Sequence, residues 1–333
     1  MMAARFDQAA ASLGGLGLML LKLPVQLKAG AHEIRLRCGK PVIISLSDSN
    51  LFVTECGLPS YSLRAGLLTA SRRDIDEAFR IICSSSVHSH QQEIKNGFVT
   101  IGGGHRAGIC GTAVTQGREV LNIRDISSIN LRIAREIRGA ADGVAAAVLS
   151  GGRPIGCFII GPPGCGKTTV LRDLARQLSS GARGLYRVAV VDERGELAAT
   201  SSGFAQNDLG SCCDVLDGYP KGEGIMQAVR SLSPDVVICD EIGGEEDAEA
   251  VNYSLNAGVA VIASAHAGSI GELFSRPQLA VLMKSGAFKR AVLLKGRSEP
   301  GKIEAVYGEG ELIDCKSDRD DSGLFGLQRG RAS

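Results

Sequence analysis

Apolar and polar positions alternate through HEIRLRCGKPVIIS at 32–45, break at Gly-Lys-Pro and resume in a second apolar run, which predicts a β-hairpin. In SRRDIDEAFRIIC at 71–83 a serine precedes acidic residues and apolar side chains recur at helical spacing, so a helix is expected. GFVTIGGGHRAGICGTAV at 97–114 reads as two strands joined by a glycine turn. A small α/β domain is therefore expected within roughly the first 120 residues.

Beyond an alanine-rich short helix ending in glycines, ADGVAAAVLSGGRP at 141–154, the pattern changes. Apolar runs at 157–160, 187–193, 235–241 and 259–266 alternate with helical patterns at 168–179, 222–232 and 245–257, and a glycine-rich loop follows 193. Such alternation implies parallel strands buried on both faces and joined by crossover helices. The expected division is an N-terminal α/β domain at 1–140 with an arginine-rich linker, a second α/β domain at 141–315, and a charged flexible tail at 316–333.

With 333 residues the chain can build two cores, and 44% apolar with 22% charged residues excludes a disordered or fibrous class. The net charge of +1 hides an asymmetry. Residues 1–140 carry 17 Lys and Arg against 11 Asp and Glu, and the remainder 20 against 25. That suits head-to-tail contact between subunits, an anionic partner for the front half, or simply scattered solvated charge. Ten cysteines include no CxxC pair, which points to thiols in a reducing compartment and away from a zinc site or disulfide framework. His88 and His90 are too sparsely placed for a metal site. The run LGGLGLMLLKL at 13–23 is too short and glycine-rich to span a bilayer and lacks signal-peptide flanks, so direct membrane insertion is not expected.

The chemistry begins at GPPGCGKTT, 161–169, which meets GxxxxGK[ST] between an apolar strand and a helical pattern. Gly161, Pro162, Pro163, Gly164, Cys165 and Gly166 would form the loop whose backbone N–H groups hold phosphate, with the following helix N-terminus assisting. Lys167 would neutralise the terminal phosphates, Thr168 would ligate Mg²⁺, and Thr169 would continue the first helical turn.

DVVICDE at 235–241 ends a buried strand with two acids, emerging where ligands of parallel sheets bind. Asp240 is the candidate for the Mg²⁺ shell and Glu241 for activating water, which favours hydrolysis over transfer to a small substrate. Asp192 and Glu193 end the preceding strand, and each is either a second ligand to water or metal or a plain loop acid. His266 ends VAVIASAH at the same edge, as a sensor of the terminal phosphate or a satisfied loop side chain.

GPPGCGKTT, VDERGEL, AVRSLSPDVVICDEIGGEEDAEA and SAHAGS together resemble the Walker A, acidic-box, Walker B and histidine-box segments of hexameric type II and type IV secretion ATPases. HEIRLRCGKP, NGFVTIGGGHRAGICG and IRDISSINLRIAREI extend the likeness toward the stage III sporulation AA family, mother-cell ATPases of endospore-forming bacteria; together the resemblance covers roughly residues 30–310. It implies a RecA-like P-loop NTPase core with a smaller N-terminal α/β domain. It assigns Glu193 to the acidic box, Asp240 and Glu241 to Walker B, His266 to the histidine box and Arg230 to an arginine preceding Walker B. Secretion ATPases generally follow the histidine with Thr-Asn, where this chain has Ala267 and Gly268.

Arg124, Arg132, Arg135 and Arg138 crowd one stretch, and guanidinium groups so dense need partners. One or more of Arg106, Arg124, Arg132 and Arg135 are candidates to stabilise charge on the terminal phosphate across a subunit boundary; ordinary ion pairs are the alternative. Three functions compete: an ATP- and Mg²⁺-dependent ring motor, a RecA-like nucleic-acid ATPase, and a nucleotide switch. Four per cent aromatics without tryptophan argue against nucleic acid, and Glu241 with no NKxD segment argues against a switch. The resemblance then implies a self-assembled ring, hexameric in the family, on the cytoplasmic mother-cell face of a membrane-embedded channel or secretion complex.

Overall fold

The structure, a computed structural model, describes residues 2–47, 49–83, 90–95, 97–117, 119–201 and 203–312. The tail expected at 316–333 lies outside the described residues, as does His88. Two compact units are present: Met1–Arg135 with Ala199–Gln206, and Glu136–Ala198 with Asn207–Ser333. The division thus falls at Arg135, and a short excursion at 199–206 belongs to the first unit, where Gln206 Oε1 accepts from Gly103 N at 2.8 Å.

The first unit is built on a seven-stranded antiparallel sheet in the order Pro59–Ser60, Asn50–Val53, Ile43–Ser45, Glu33–Arg37, Glu119–Arg132, His105–Gln116, Phe98–Ile101. The hairpin expected at 32–45 pairs Glu33 with Ser45 and Ile34 with Ile44, although Lys40–Pro41 turns aside to pair with Thr69–Ala70. The helix Arg72–Ile82 starts at a capping box in which Ser71 and Asp74 satisfy each other's backbone N–H, and it buries Ile75, Ala78 and Ile82. The arginine-rich stretch is strand as far as Arg132, with Ile129 and Leu131 turned into the core. The apolar run at 13–23 folds as core: Leu13, Leu16, Leu20 and Leu23 are buried. Among the described residues no helix is long and apolar enough to cross a membrane.

The second unit holds a seven-stranded sheet in the order Cys213–Asp217, Val188–Asp192, Val236–Cys239, Ala260–His266, Cys157–Gly161, Arg290–Leu294, Ile303–Tyr307. The first six run parallel and the last is antiparallel. Every residue of Cys157–Gly161, Val188–Asp192 and Val236–Cys239 is buried, because the helices Lys167–Ser179, Lys221–Leu232 and Glu245–Asn256 connect them across the faces. Three strands are additions to the pattern read from the sequence. Cys213–Asp217 replaces part of the loop expected after 193; as an edge strand it leaves every position but Leu216 at least partly exposed, so it carries no apolar run. Arg290–Leu294 and Ile303–Tyr307 extend the other edge.

Asp173 ties the entry segment to the helix Lys167–Ser179. Its buried carboxylate accepts from Ala141 N at 2.9 Å, from Arg176 and from Gln177. Burial opposes the charge, but these donors outweigh it and hold the carboxyl below the usual range.

Candidate functional site

Four adjacent parallel strands end together, so Gly161, Asp192, Asp240 and His266 come to one edge of the second unit's sheet. The order of strands explains the grouping: Val236–Cys239 and Ala260–His266 are neighbours, and the latter pairs with Cys157–Gly161, setting Gly161 beside His266.

The glycine loop leaves its strand at Gly161 and enters the helix at Lys167 through Gly166, whose φ of +94° is a left-handed value that favours glycine. Lys167 is only 6% exposed. Its ammonium donates to Gly161 O at 2.9 Å, to Pro162 O at 3.3 Å and to His266 Nδ1 at 3.0 Å. An ammonium only donates, so Nδ1 accepts and the ring proton sits on Nε2. That nitrogen lies 3.3 Å from Glu241 Oε1, making His266 a bridge between the loop lysine and Glu241. Cys165, within the loop, is fully buried, and Ala267 is 2% exposed while Gly268 N donates to Glu272 Oε2.

Thr168 Oγ1 donates to Asp240 Oδ2 at 2.7 Å. A hydroxyl and a carboxylate side by side are hard oxygen donors of the kind Mg²⁺ takes, so this pair fits the metal expected there. Glu241 stands at φ +51°, an unfavourable left-handed value for a side-chain-bearing residue, and such conformations cluster at functional sites. Its N–H donates to Ser264 Oγ at 3.0 Å, and the same hydroxyl donates to Asp240 Oδ1. Ser264 thus aligns both acids. Its signal in the sequence is a polar residue inside an apolar strand run, where it must find a partner.

Arg194 also escaped the sequence reading, although it lies inside VDERGEL. Its Nη1 is 3.3 Å from Glu241 Oε2, so the carboxylate is shared between Arg194 and His266. Glu193 pairs with Lys221, and a concavity of about 310 Å³ opens between them, Asp240 and Glu241. Asp192 takes a different part. It is 2% exposed and accepts from the backbone N–H groups of Glu196, Leu197 and Ala198 at 2.8, 3.0 and 2.7 Å, which makes it the anchor of the following loop. Arg172, from the helix after the glycine loop, donates to Glu196 O and Leu197 O and holds the same loop from the other side.

The remaining arginines have partners within their own units. In the first unit Arg135 donates to Ala31 O at 2.9 Å, Arg132 lies 3.6 Å from Glu33, Arg124 lies 3.7 Å from Asp125, and Arg106 stacks over the Phe98 ring. In the second, Arg138 pairs with Asp208 at 2.8 Å and Arg230 lies over Tyr253. Five of the sequence candidates, Lys167, Thr168, Asp240, Glu241 and His266, are therefore joined, with Ser264 as a link, in one network of polar contacts.

The chain is similar in fold to the pilus retraction motor PilT solved with bound ADP, at a TM-score of 0.57 and 15% identity over 89% of this chain and 85% of that one. It is likewise similar to the ATPase DotB of Legionella pneumophila, at a TM-score of 0.54 and 14% identity over 92% and 85%. At these identities the likeness carries the fold, a RecA-like P-loop α/β core with a smaller N-terminal α/β domain. By sequence the chain is 39% identical to the stage III sporulation protein AA of Bacillus subtilis (strain 168) over 290 residues, 86% of this chain and 90% of that protein. A family model described as sporulation stage III, protein AA matches residues 16–313, spanning the glycine loop, Asp240, Glu241 and His266, and the chain belongs to that family.

Proposed function

We propose that this chain is a Mg²⁺-dependent ATPase that works as a ring of identical subunits, six as in the secretion ATPases, and drives a membrane-embedded channel or secretion complex between mother cell and forespore from the cytoplasmic mother-cell side. The observation that carries the reading is the convergence of Lys167, Thr168, Asp240, Glu241 and His266 at one sheet edge.

In this reading the backbone N–H groups of the glycine loop bind the phosphates, and Lys167 gives up its loop carbonyls to neutralise them. Thr168 and Asp240 would hold Mg²⁺, which would supply positive charge to neutralise the phosphates. Glu241 accepts a proton from the attacking water once Arg194 and His266 release its carboxylate. His266 touches both Lys167 and Glu241, so loss of the terminal phosphate changes its contacts and passes the change to the strand it ends. One or more of Arg106, Arg124, Arg132 and Arg135 serve the nucleotide across a subunit boundary.

The test is mass by size-resolved light scattering with and without ATP, together with ATPase rate against protein concentration. The expected result is turnover per chain that rises as the ring assembles. Turnover by a monomer independent of concentration removes the shared site, and wild-type rates in Lys167→Ala remove the ATPase reading.

A further inference from the structure

The phosphate loop of the second unit has a second wall. Residues 295–302, KGRSEPGK, join the strands Arg290–Leu294 and Ile303–Tyr307 and lie directly against the loop. Gly301 N donates to Cys165 O at 2.8 Å, and Arg297 Nε donates to Pro163 O at 3.0 Å. The approach is so close that a Cβ on Gly164 would fall 2.8 Å from Arg297 Nε, and one on Gly166 would fall 3.0 Å from Gly301 N. These two glycines therefore answer to the 295–302 segment as well as to phosphate.

The segment is fastened internally. Lys295 N donates to Lys302 O at 2.8 Å, and the carboxylate of Glu299 takes Lys295 Nζ at 2.7 Å on one oxygen and Lys302 Nζ at 2.6 Å on the other. The two ammonium groups pull the Glu299 carboxyl down to about 2. Both lysines are thereby committed to Glu299. Arg297 is differently placed: among the described residues its one partner is a loop carbonyl, bonded through Nε, so both Nη groups remain for a ligand. A guanidinium fixed at one nitrogen, beside a loop whose next residues turn their N–H groups toward phosphate, presents a planar fork matched to phosphate oxygens.

We propose that Arg297 is a nucleotide-binding residue, its guanidinium pairing with the polyphosphate held by Gly161–Thr168 while the 295–302 segment keeps that loop in its binding conformation. The inference rests on the ATP reading of the loop and adds a cation that lies about 130 residues downstream of it. Its Nε bond to Pro163 O orients the fork before ligand arrives, so the contact forms with ATP and ADP alike. Losing binding that is equal in ground and transition states raises KM and leaves kcat nearly alone.

The experiment is calorimetric titration of MgATP and MgADP into the full-length wild type, Arg297→Gln, Arg297→Lys and Lys167→Ala, with steady-state kinetics and the thermal midpoint of each nucleotide-free protein. Arg297→Gln is expected to weaken both nucleotides about 10-fold and to raise KM similarly, with its nucleotide-free midpoint close to wild type. Arg297→Lys restores part of the affinity, as a point charge without the fork. The gap between wild type and Arg297→Gln narrows as salt is raised. Nucleotide affinity within twofold of wild type in Arg297→Gln overturns the proposal, as does a fall in the nucleotide-free midpoint with affinity intact, which would reduce Arg297 to a clamp on Pro163. If wild type binds neither nucleotide, the ATP reading itself fails; if wild type binds, Lys167→Ala does not and Arg297→Gln binds normally, only the role of Arg297 falls.

Discussion

The hydroxyl of Thr168 and the carboxylate of Asp240 meet at 2.7 Å, joining the first turn after the glycine loop to the end of a strand 72 residues away. Because both are hard oxygens, Thr168→Ala is expected to uncouple nucleotide binding from the metal. In wild type, chelating Mg²⁺ weakens ATP binding by about 10-fold or more, whereas in the variant the chelator changes affinity less than about twofold. Titrations with and without EDTA measure this, and an unchanged Mg²⁺ dependence in the variant argues against the pair as the metal site.

Glu241→Gln separates binding from chemistry. It keeps size and backbone but cannot take a proton, so nucleotide affinity stays near wild type while turnover falls by about 100-fold or more. A variant that still turns over at the wild-type rate leaves Glu241 without the role of base.

Ser264 is fully buried and serves both acids, donating to Asp240 and accepting from Glu241 N. Ser264→Ala strands the Glu241 N–H and releases a residue already held at φ +51°. A stability loss of about 1–2 kcal/mol is expected, with turnover down roughly 10-fold as Glu241 loses its alignment. Urea unfolding and steady-state rates on the same preparation separate the two effects; wild-type values for both would show that the serine merely fills space.

Asp192 supports the neighbouring loop through three backbone N–H groups while 2% exposed. Asp192→Ala leaves those donors without an acceptor and should cost about 3 kcal/mol, read as a lowered urea midpoint. Little loss of stability but abolished turnover would return Asp192 to the list of residues acting on the ligand.

His105 provides a pH signature for the first unit. Its ring is fully buried, with Nδ1 accepting from Ala134 N at 3.0 Å, and burial, aided by the charge of Arg5, pushes its pKa down to about 4 from 6.5. The folded form thus binds the proton less readily than the unfolded chain. Its contribution is fully present above pH 6.5 and is lost as pH falls toward 4, a change on the order of ~3 kcal/mol. In His105→Leu, which is destabilised at all pH by the orphaned Ala134 N–H, the urea midpoint should vary less between pH 7 and 4.5 than in wild type. Equal pH dependence in the two proteins would assign the effect to other groups.

Much of this was legible locally. The spacing of glycines, a lysine and a hydroxyl in GPPGCGKTT placed a loop between a strand and a helix, and acids directly after an apolar strand run placed Asp240 and Glu241 at the sheet edge. The hairpin at 32–45 and the capped helix Arg72–Ile82 followed from alternation and from the Ser71–Asp74 box. The edge strand Cys213–Asp217 was not legible, since a strand open on one side needs no apolar run. The linear pattern also left Asp192 and Glu193 equivalent. Burial separates them, because the Asp192 carboxylate turns inward to three N–H groups and Glu193 outward to Lys221.

Residue types and short spacings, which act over one turn or one strand, were enough to write down a candidate site and its parallel-sheet setting. Which side chains complete that site depends on strand order. Ser264 reaches Asp240 and Glu241 because Ala260–His266 lies beside Val236–Cys239, and Arg297 reaches the glycine loop because Arg290–Leu294 lies beside Cys157–Gly161. Contacts between residues 24 and 134 positions apart are made by hydrogen-bonded pairing across the sheet, and no local pattern records that pairing.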